Sequence, residues 1–363
     1  KQQYIPRFVS GEYIGSFAMT EPDIGSDVAS MKCRADDKGD YYLINGNKMW
    51  ITNGTVTNHG LLYVKTDKDA GANGVSCFIM DYSLPGITRK KINEKVGLWA
   101  SDTAELTFED VKVPKSLLLG KLNKGFQICM TQLNSTRLGC SAGALGLSGA
   151  ILDASAKYAT ERCQFGKQIG KYQLIQQQVA DMKVGHETLA ALVYKAAWLK
   201  DQGLPNVMET SMSKLYGAKV VVHDANECMK LYGSFGYSDE YPCGRFLRDS
   251  KQFETLEGTS NMHTMIVANA ASNDLVFLGS RFGEAHMTVI DRDRNMVAIT
   301  PSPKPPPQVP TGMPASLNLA MVGKKLLSTA YRTTPSTGSA RACSASGIMS
   351  MGLVLSVSSI SQL

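Results

Sequence analysis

The segment Arg248-Asp249-Ser250-Lys251-Gln252-Phe253-Glu254-Thr255-Leu256-Glu257-Gly258-Thr259-Ser260-Asn261-Met262 decides how the chain is read. A glutamate stands directly before a glycine and two hydroxyl residues, and Met262, Met265 and Ile266 follow at helical spacing. The pattern predicts a loop entering a helix. Thr259 or Ser260 is the cap, and the free backbone N–H groups behind it face a bound anion. Glu257 then sits at the turn, where its carboxylate can face a cavity; if that cavity is apolar, desolvation raises its pKa and makes it a stronger base. A solvated acid at an ordinary helix start has the same local sequence, so the remainder of the chain decides between the two.

Upstream of this segment the pattern is helical back to Gly125. Ile175, Val179, Met182, His186, Leu189, Val193 and Ala197 hold one face of a helix from about Tyr172 to Lys200. Ala142–Ala159 and Met208–Leu231 read as further long helices, with Gly203-Leu204-Pro205 as a break, and these lengths suit an antiparallel helical bundle over 120–271. Residues 1–119 read as β structure. Tyr13–Met19, Tyr41–Ile51, Leu61–Lys65, Val75–Met80 and Thr103–Phe108 are short aromatic and β-branched runs, punctuated by Gly, Asn, Asp and Pro. Their spacing predicts an antiparallel sandwich or barrel, so the fold class is α+β: a β domain followed by a helical bundle. Residues 272–363 lose this organisation. Pro301–Pro314 is Pro-rich and Ser328–Ser359 is a Ser/Thr/Ala/Gly mixture, which predicts a disordered or non-native tail.

Composition narrows the function. The net charge is +6, of which the residues from Ser272 onward carry +4, and no basic run with interleaved aromatics occurs; nucleic acid is not an expected partner. Eight scattered cysteines without a C-x-x-C pair exclude a zinc pattern or a disulfide framework and favour a reducing compartment. No membrane span and no signal-peptide pattern are expected. The chain begins without Met and reads as mid-protein, so a targeting sequence is not visible; the expected location is a bacterial cytoplasm or a mitochondrial matrix.

Two further stretches carry chemistry. In Phe17-Ala18-Met19-Thr20-Glu21-Pro22-Asp23-Ile24-Gly25-Ser26-Asp27 a strand ends in a loop that offers hydroxyls and backbone N–H groups to a planar heterocycle or a phosphate. Asn45-Gly46-Asn47-Lys48-Met49-Trp50-Ile51-Thr52-Asn53-Gly54 puts an indole and a threonine on a strand running into a turn. There Trp50 can cover a face of an aromatic cofactor and Thr52 can bond its edge.

The Thr20–Asp27 loop, the Met49–Gly54 strand, Glu161-Arg162-Cys163-Gln164-Phe165-Gly166 and Glu257-Gly258-Thr259-Ser260 occur in the order and spacing of acyl-CoA dehydrogenases. The resemblance covers about Tyr4 to Ala270. Asp37-Lys38-Gly39-Asp40, and Gln173 after Gly166-Lys167-Gln168-Ile169-Gly170, make the chain look most similar to the glutaryl-CoA dehydrogenase-like branch. The resemblance implies an N-terminal helical domain, a central β domain and a C-terminal four-helix domain, of which this chain shows the last two. It also implies FAD, a homotetramer, a role in fatty-acid or amino-acid catabolism, and re-oxidation by an electron-transfer flavoprotein.

Carried over by position, the resemblance implies that Phe17, Met19, Thr20, Trp50 and Thr52 line the isoalloxazine. Ser26 contacts the thioester arm and is counted with the cofactor loop. Arg162, Phe165, Gln173 and Lys230 reach the FAD of a neighbouring subunit, and Gly233 and Ser234 approach its pyrophosphate. Thr259 and Asn261 hold FAD on the home subunit. Asn134, Arg137, Leu256 and Gly258 stand near the substrate, and Glu257 is the catalytic base. Lys230 replaces a frequent glutamine, Leu256 a common tyrosine and Ser234 a frequent glycine. The implied reaction is α,β-dehydrogenation of a short-chain or glutaryl-like acyl-CoA, with proton abstraction by Glu257 and hydride transfer to flavin N5. The alternatives are an acyl-CoA oxidase and a non-catalytic truncated fragment with a scaffold role.

Other features have plainer readings. Gly143, Gly146 and Gly149 read as a face where helices pack closely. His186 reads as a satisfied core histidine and His223-Asp224 as a surface pair. His263 fits equally an approach to flavin and a polar helix face.

Overall fold

The computed structural model of this chain describes residues 1–271; the tail expected from 272 onward lies outside the described residues. A short helix α1 (Ile5–Ser10) opens the chain. The strand-dominated pattern does not predict it; Pro6 in its first turn starts it and Gly11, at φ 79°, ends it.

Eight strands follow: β1 (Gly15–Ala18), β2 (Arg34–Asp37), β3 (Tyr41–Thr52), β4 (His59–Lys65), β5 (Val75–Asp81), β6 (Ile87–Lys91), β7 (Thr103–Pro114) and β8 (Leu118–Leu119). They form one sheet in the order β6-β7-β3-β2-β4-β5-β8, with β1 also on β4. Antiparallel pairing dominates, as the regular spacing of the short runs predicts. The correction is at β4, which pairs in parallel with both β1 and β2. Parallel neighbours need a long crossover, and the 19–33 loop supplies part of it. This loop leaves the sheet carrying the first of the two cofactor-like motifs. β2 and β6 are too short and too charged to register as strands in the sequence.

Ile44, Ile51, Leu62, Val64, Phe78, Met80, Leu106 and Phe108 form the core of the sheet. β3 pairs with β7 through two register shifts, at Ile44/Gly46 and Lys48/Ile51. At the first, Gly46 has φ 139° and a Cβ there would lie 2.6 Å from the Cα of Cys33, so only glycine fits. The second re-aims the strand at Trp50.

The helices are α2 (Gly125–Glu161), α3 (Gln173–Asp201), α4 (Val207–Tyr232), α5 (Cys243–Gln252) and α6 (Ser260–Ala271), with the two-stranded ribbon β9 (Cys163–Gln164) and β10 (Lys167–Gln168) between α2 and α3. α2 begins seventeen residues before the expected Ala142. Buried polar side chains, including Gln132, Ser135, Arg137 and Ser141, hide its apolar period there. Leu145, Ile151, Met182, Leu189, Val193, Val221 and Leu231 fill the bundle core. Of the three glycines read as a close-packing face, Gly149 lies under a neighbouring helix: a Cβ there would stand 3.3 Å from the His186 ring. Contrary to expectation, α2 is long and apolar enough to cross a bilayer, but half of its apolar window is buried in the protein, as in a core helix.

Sheet and bundle share a third core cluster of Met31, Tyr63, Val75, Cys77, Phe126, Cys129 and Leu133. Tyr63 donates its hydroxyl to Gln132 across it at 3.1 Å. On the other side, the loop before β7 docks on α5. The Leu98 N–H donates to Asp249 at 2.7 Å, and Arg248 lies 4.3 Å over the Trp99 ring. The sheet is thus fastened to the helix that leads into Glu257.

Candidate active site

α5 stops at Gln252, and the connector to α6 turns through two successive left-handed residues, Glu257 at φ 57° and Gly258 at φ 96°. Thr259 caps α6, its hydroxyl oxygen accepting the Met262 N–H at 3.3 Å. Glu257 is half-buried, yet desolvation is the largest influence on its carboxyl and raises its pKa. This combination describes a carboxylate recessed among protein atoms and still open to a ligand. The Thr136 hydroxyl donates to Oε2 at 2.6 Å, and with the charges of Arg137 and Lys214 it limits the rise.

The backbone of the turn is held by buried basic side chains. Arg137, on α2, donates from Nε to the Glu257 carbonyl at 3.0 Å, and His263 Nε2 lies 3.1 Å from the same oxygen. Lys214, on α4, donates to the carbonyls of Phe253 and Gly258 at 2.8 and 2.6 Å. Arg137, Lys214 and His263 are all buried. For His263 this settles the two open readings against a polar helix face.

The sheet contributes a second wall. Phe17 on β1 packs 5.1 Å from the Tyr63 ring. Met19, Thr20 and Thr52 are half-buried, and Ser26 is exposed. The Thr20 carbonyl accepts the Met49 N–H at 2.8 Å, which joins the two sheet motifs. Beneath them Lys48, wholly buried, donates to Glu21 and to the Met19 carbonyl, each at 2.9 Å. Trp50, at φ 63°, is 56% exposed. A tryptophan held in a left-handed conformation with its ring outward offers a flat apolar face to a partner. The walls meet through α2: Cys129 lies 3.0 Å from the Met19 sulfur and feels the charges of Arg137, Glu257 and Lys48.

Arg162 and Phe165 are elsewhere. Arg162 stacks 5.4 Å over Phe235, and Phe165 is 94% exposed at φ 50°. They follow Arg137 by about 25 residues of one helix, roughly 37 Å at 1.5 Å per residue. Gly233, at φ 61°, and Ser234 are exposed on the turn that carries Phe235. Gln173 and Lys230 are exposed, with Lys230 paired to Glu227, and Lys230 lines a cavity of about 530 Å³ with Gln178 and His223. Asn134 spends its amide donor on Asn206 at 2.7 Å, inside the bundle. Leu256 and Gly258 flank Glu257, and Asn261 is exposed on the first turn of α6.

Two plain readings need correction. His186 is half-buried with Nδ1 unpartnered, because it lies over Gly149 on α2. His223 and Asp224 bond at 3.1 Å, and Asp224 is buried with Ser148 on its other oxygen at 3.0 Å. Thr136, Lys214, Glu21 and Lys48 were not predicted as site residues. Lys214 had a signal, a lysine on the stripe that includes Ser211, Gly217, Ala218 and Val221; Thr136 had none.

Residues 16–111 match the acyl-CoA dehydrogenase middle domain and residues 123–272 the acyl-CoA dehydrogenase C-terminal domain. The chain is 44% identical over 270 residues to a glutaryl-CoA dehydrogenase of Desulfococcus multivorans, covering 74% of this chain and 69% of that one. The structure of a glutaryl-coenzyme A dehydrogenase glutaryl-CoA complex superposes with a TM-score of 0.72 at 42% identity, covering 74% and 69%. A chain from work on the electron transferring flavoprotein of Acidaminococcus fermentans superposes with a TM-score of 0.74 at 38% identity, covering 75% and 72%. Curated relatives are spanned over 65% to 71% of their length.

Proposed function

The chain belongs to the acyl-CoA dehydrogenase family of FAD-dependent oxidoreductases, and from that premise we propose that Glu257 is its base in the α,β-dehydrogenation of an acyl-CoA thioester. The observation that carries the reading is the recessed Glu257 carboxylate, with one oxygen bonded to Thr136 and the other facing away from that bond. The free oxygen takes the α-proton. The raised pKa suits a base acting on a weak carbon acid, and the Thr136 bond keeps the ionised form populated.

The residues fit FAD: an outward tryptophan face on a strained bulge, hydroxyls at Thr20 and Thr52, and a capped helix N-terminus at Thr259. Phe17, Met19, Thr20, Trp50, Thr52, Thr259 and Asn261 would hold it. Bound FAD supplies the two-electron acceptor for the hydrogen that leaves the β-carbon as hydride. Arg162, Phe165, Gln173, Lys230, Gly233 and Ser234 gather beyond the end of α2, at the start of α3 and at or after the end of α4, with Arg162 over Phe235, away from Glu257; they would serve the cofactor of a neighbouring subunit, the arrangement expected of a homotetramer. Ser26, Arg137, Leu256 and Gly258 would border the thioester, with a short or glutaryl-like acyl group and an electron-transfer flavoprotein as the expected substrate and oxidant.

Replacement Glu257→Gln tests the base. Flavin is retained, and its reduction by an acyl-CoA falls by roughly 10²–10⁴-fold, the usual worth of a general base. Near-native reduction removes Glu257 from the role. Following peroxide beside reduction of an electron-transfer flavoprotein distinguishes an oxidase.

A further inference from the structure

We propose that Lys214 and His263 are positioning residues which, with Arg137, clamp the carbonyls of Glu257 and Gly258 and so set where the Glu257 carboxylate stands. The inference rests on Glu257 being the base.

Two consecutive left-handed residues, one of them a glutamate, are not a conformation that a free connector holds. Three donors from three helices hold this one. Lys214 ties the two ends of the turn together, Phe253 at its start and Gly258 near its end. Arg137 and His263 converge on the carbonyl between them. A Cβ on Gly258 would stand 3.1 Å from His263 Nε2 and 3.4 Å from an Arg137 nitrogen, so the donors pack against the backbone itself.

Lys214 and His263 do different work. His263 is neutral: burial first, then Arg137 and Lys214, lower its pKa to about 3. Its proton is therefore on Nε2, where it donates to the Glu257 carbonyl, and Nδ1 is buried without a partner. The hold of His263 is geometric and unaffected by pH near neutrality. Lys214 is a buried cation whose only hydrogen-bond acceptors among the described residues are two carbonyls, with Glu257 and Glu254 nearby. It adds a charge that favours ionised Glu257. Arg137 on α2 is the other cation facing that carboxylate, and the Cys129 and Cys140 thiols beside it are kept protonated by burial.

The test uses the flavin-loaded full chain labelled with ¹³C at glutamate Cδ, the Glu257 signal being identified by its loss in Glu257→Gln. In Lys214→Met the Glu257 titration moves to higher pH, and flavin reduction at pH 7 slows. In His263→Leu the titration stays in place while reduction slows by roughly ten- to a hundredfold, the scale of an ångström-level misplacement. His263→Gln restores most of the rate, because its amide can donate to the same carbonyl. Rates within twofold of wild type in both His263→Leu and Lys214→Met, with no shift of the titration in Lys214→Met, overturn the inference. If Lys214→Met does not fold, the two His263 variants decide: equal rates in them overturn it. Loss of reduction in Glu257→Gln alone leaves the base reading standing and the clamp refuted. Retained reduction in Glu257→Gln refutes the base reading first.

Discussion

The hydroxyl of Thr136, on α2, donates to Oε2 of Glu257 at 2.6 Å, across a sequence separation of 121 residues. The bond favours the ionised carboxylate. Its loss therefore raises the already raised pKa of Glu257, leaving less base at a given pH. Thr136→Val shifts the acidic limb of the pH profile of flavin reduction upward, with a rate deficit at pH 6 that closes at high pH. Thr136→Ser keeps the hydroxyl and leaves the limb in place. A pH-independent loss in Thr136→Val assigns the residue to packing alone.

Lys48 and Glu21 form a buried ion pair under the Met19–Thr20 backbone, and Glu21 also accepts the N–H groups of Lys32 and Cys33 at 2.7 and 3.0 Å. Removing one partner leaves an uncompensated buried charge. Lys48→Met is expected to cost about 3–5 kcal/mol in urea unfolding, and Lys48→Met with Glu21→Gln less than the sum of the two single changes.

Trp50 separates stability from cofactor binding. Its ring is 56% exposed and its φ is 63°, so Trp50→Gly removes little packing and relieves backbone strain of about 1 kcal/mol. The variant stripped of flavin melts at or slightly above the stripped parent, while its affinity for FAD, followed by fluorescence titration, falls. A large drop in melting temperature would make Trp50 a structural residue.

Asp224 lies between His223 and Ser148, and burial raises its pKa from 3.8 to about 6. The folded protein therefore keeps a proton that the unfolded chain loses between those values. The contribution of Asp224 to stability falls as pH rises from about 4 to 6, by at most about 3 kcal/mol. Asp224→Asn is as stable as the parent near pH 4 and more stable at pH 7. Denaturant midpoints at the two pH values check this, and an equal difference at both refutes it.

The helical stretches and most strands were legible because their apolar periods survive in the sequence. The start of α2 was not, since Gln132, Ser135 and Ser141 are buried polar residues that break the period. The loops of the site were legible as motifs, and the turn at Glu257 as a capped helix start. The parallel partners of β4 were not: strand direction follows from the route of the crossover, which side-chain alternation does not record.

The sequence by itself determined the helical bundle, the β segments, the family and the glutamate at the turn, since local periodicity and motif order carry each of these. Only the tertiary structure decided what surrounds that glutamate. Thr136, Arg137, Lys214 and His263 come from three helices, and only their packing makes the site of Glu257 a recess lined with donors. Desolvation and the proximity of charges are properties of that packing and of no segment alone.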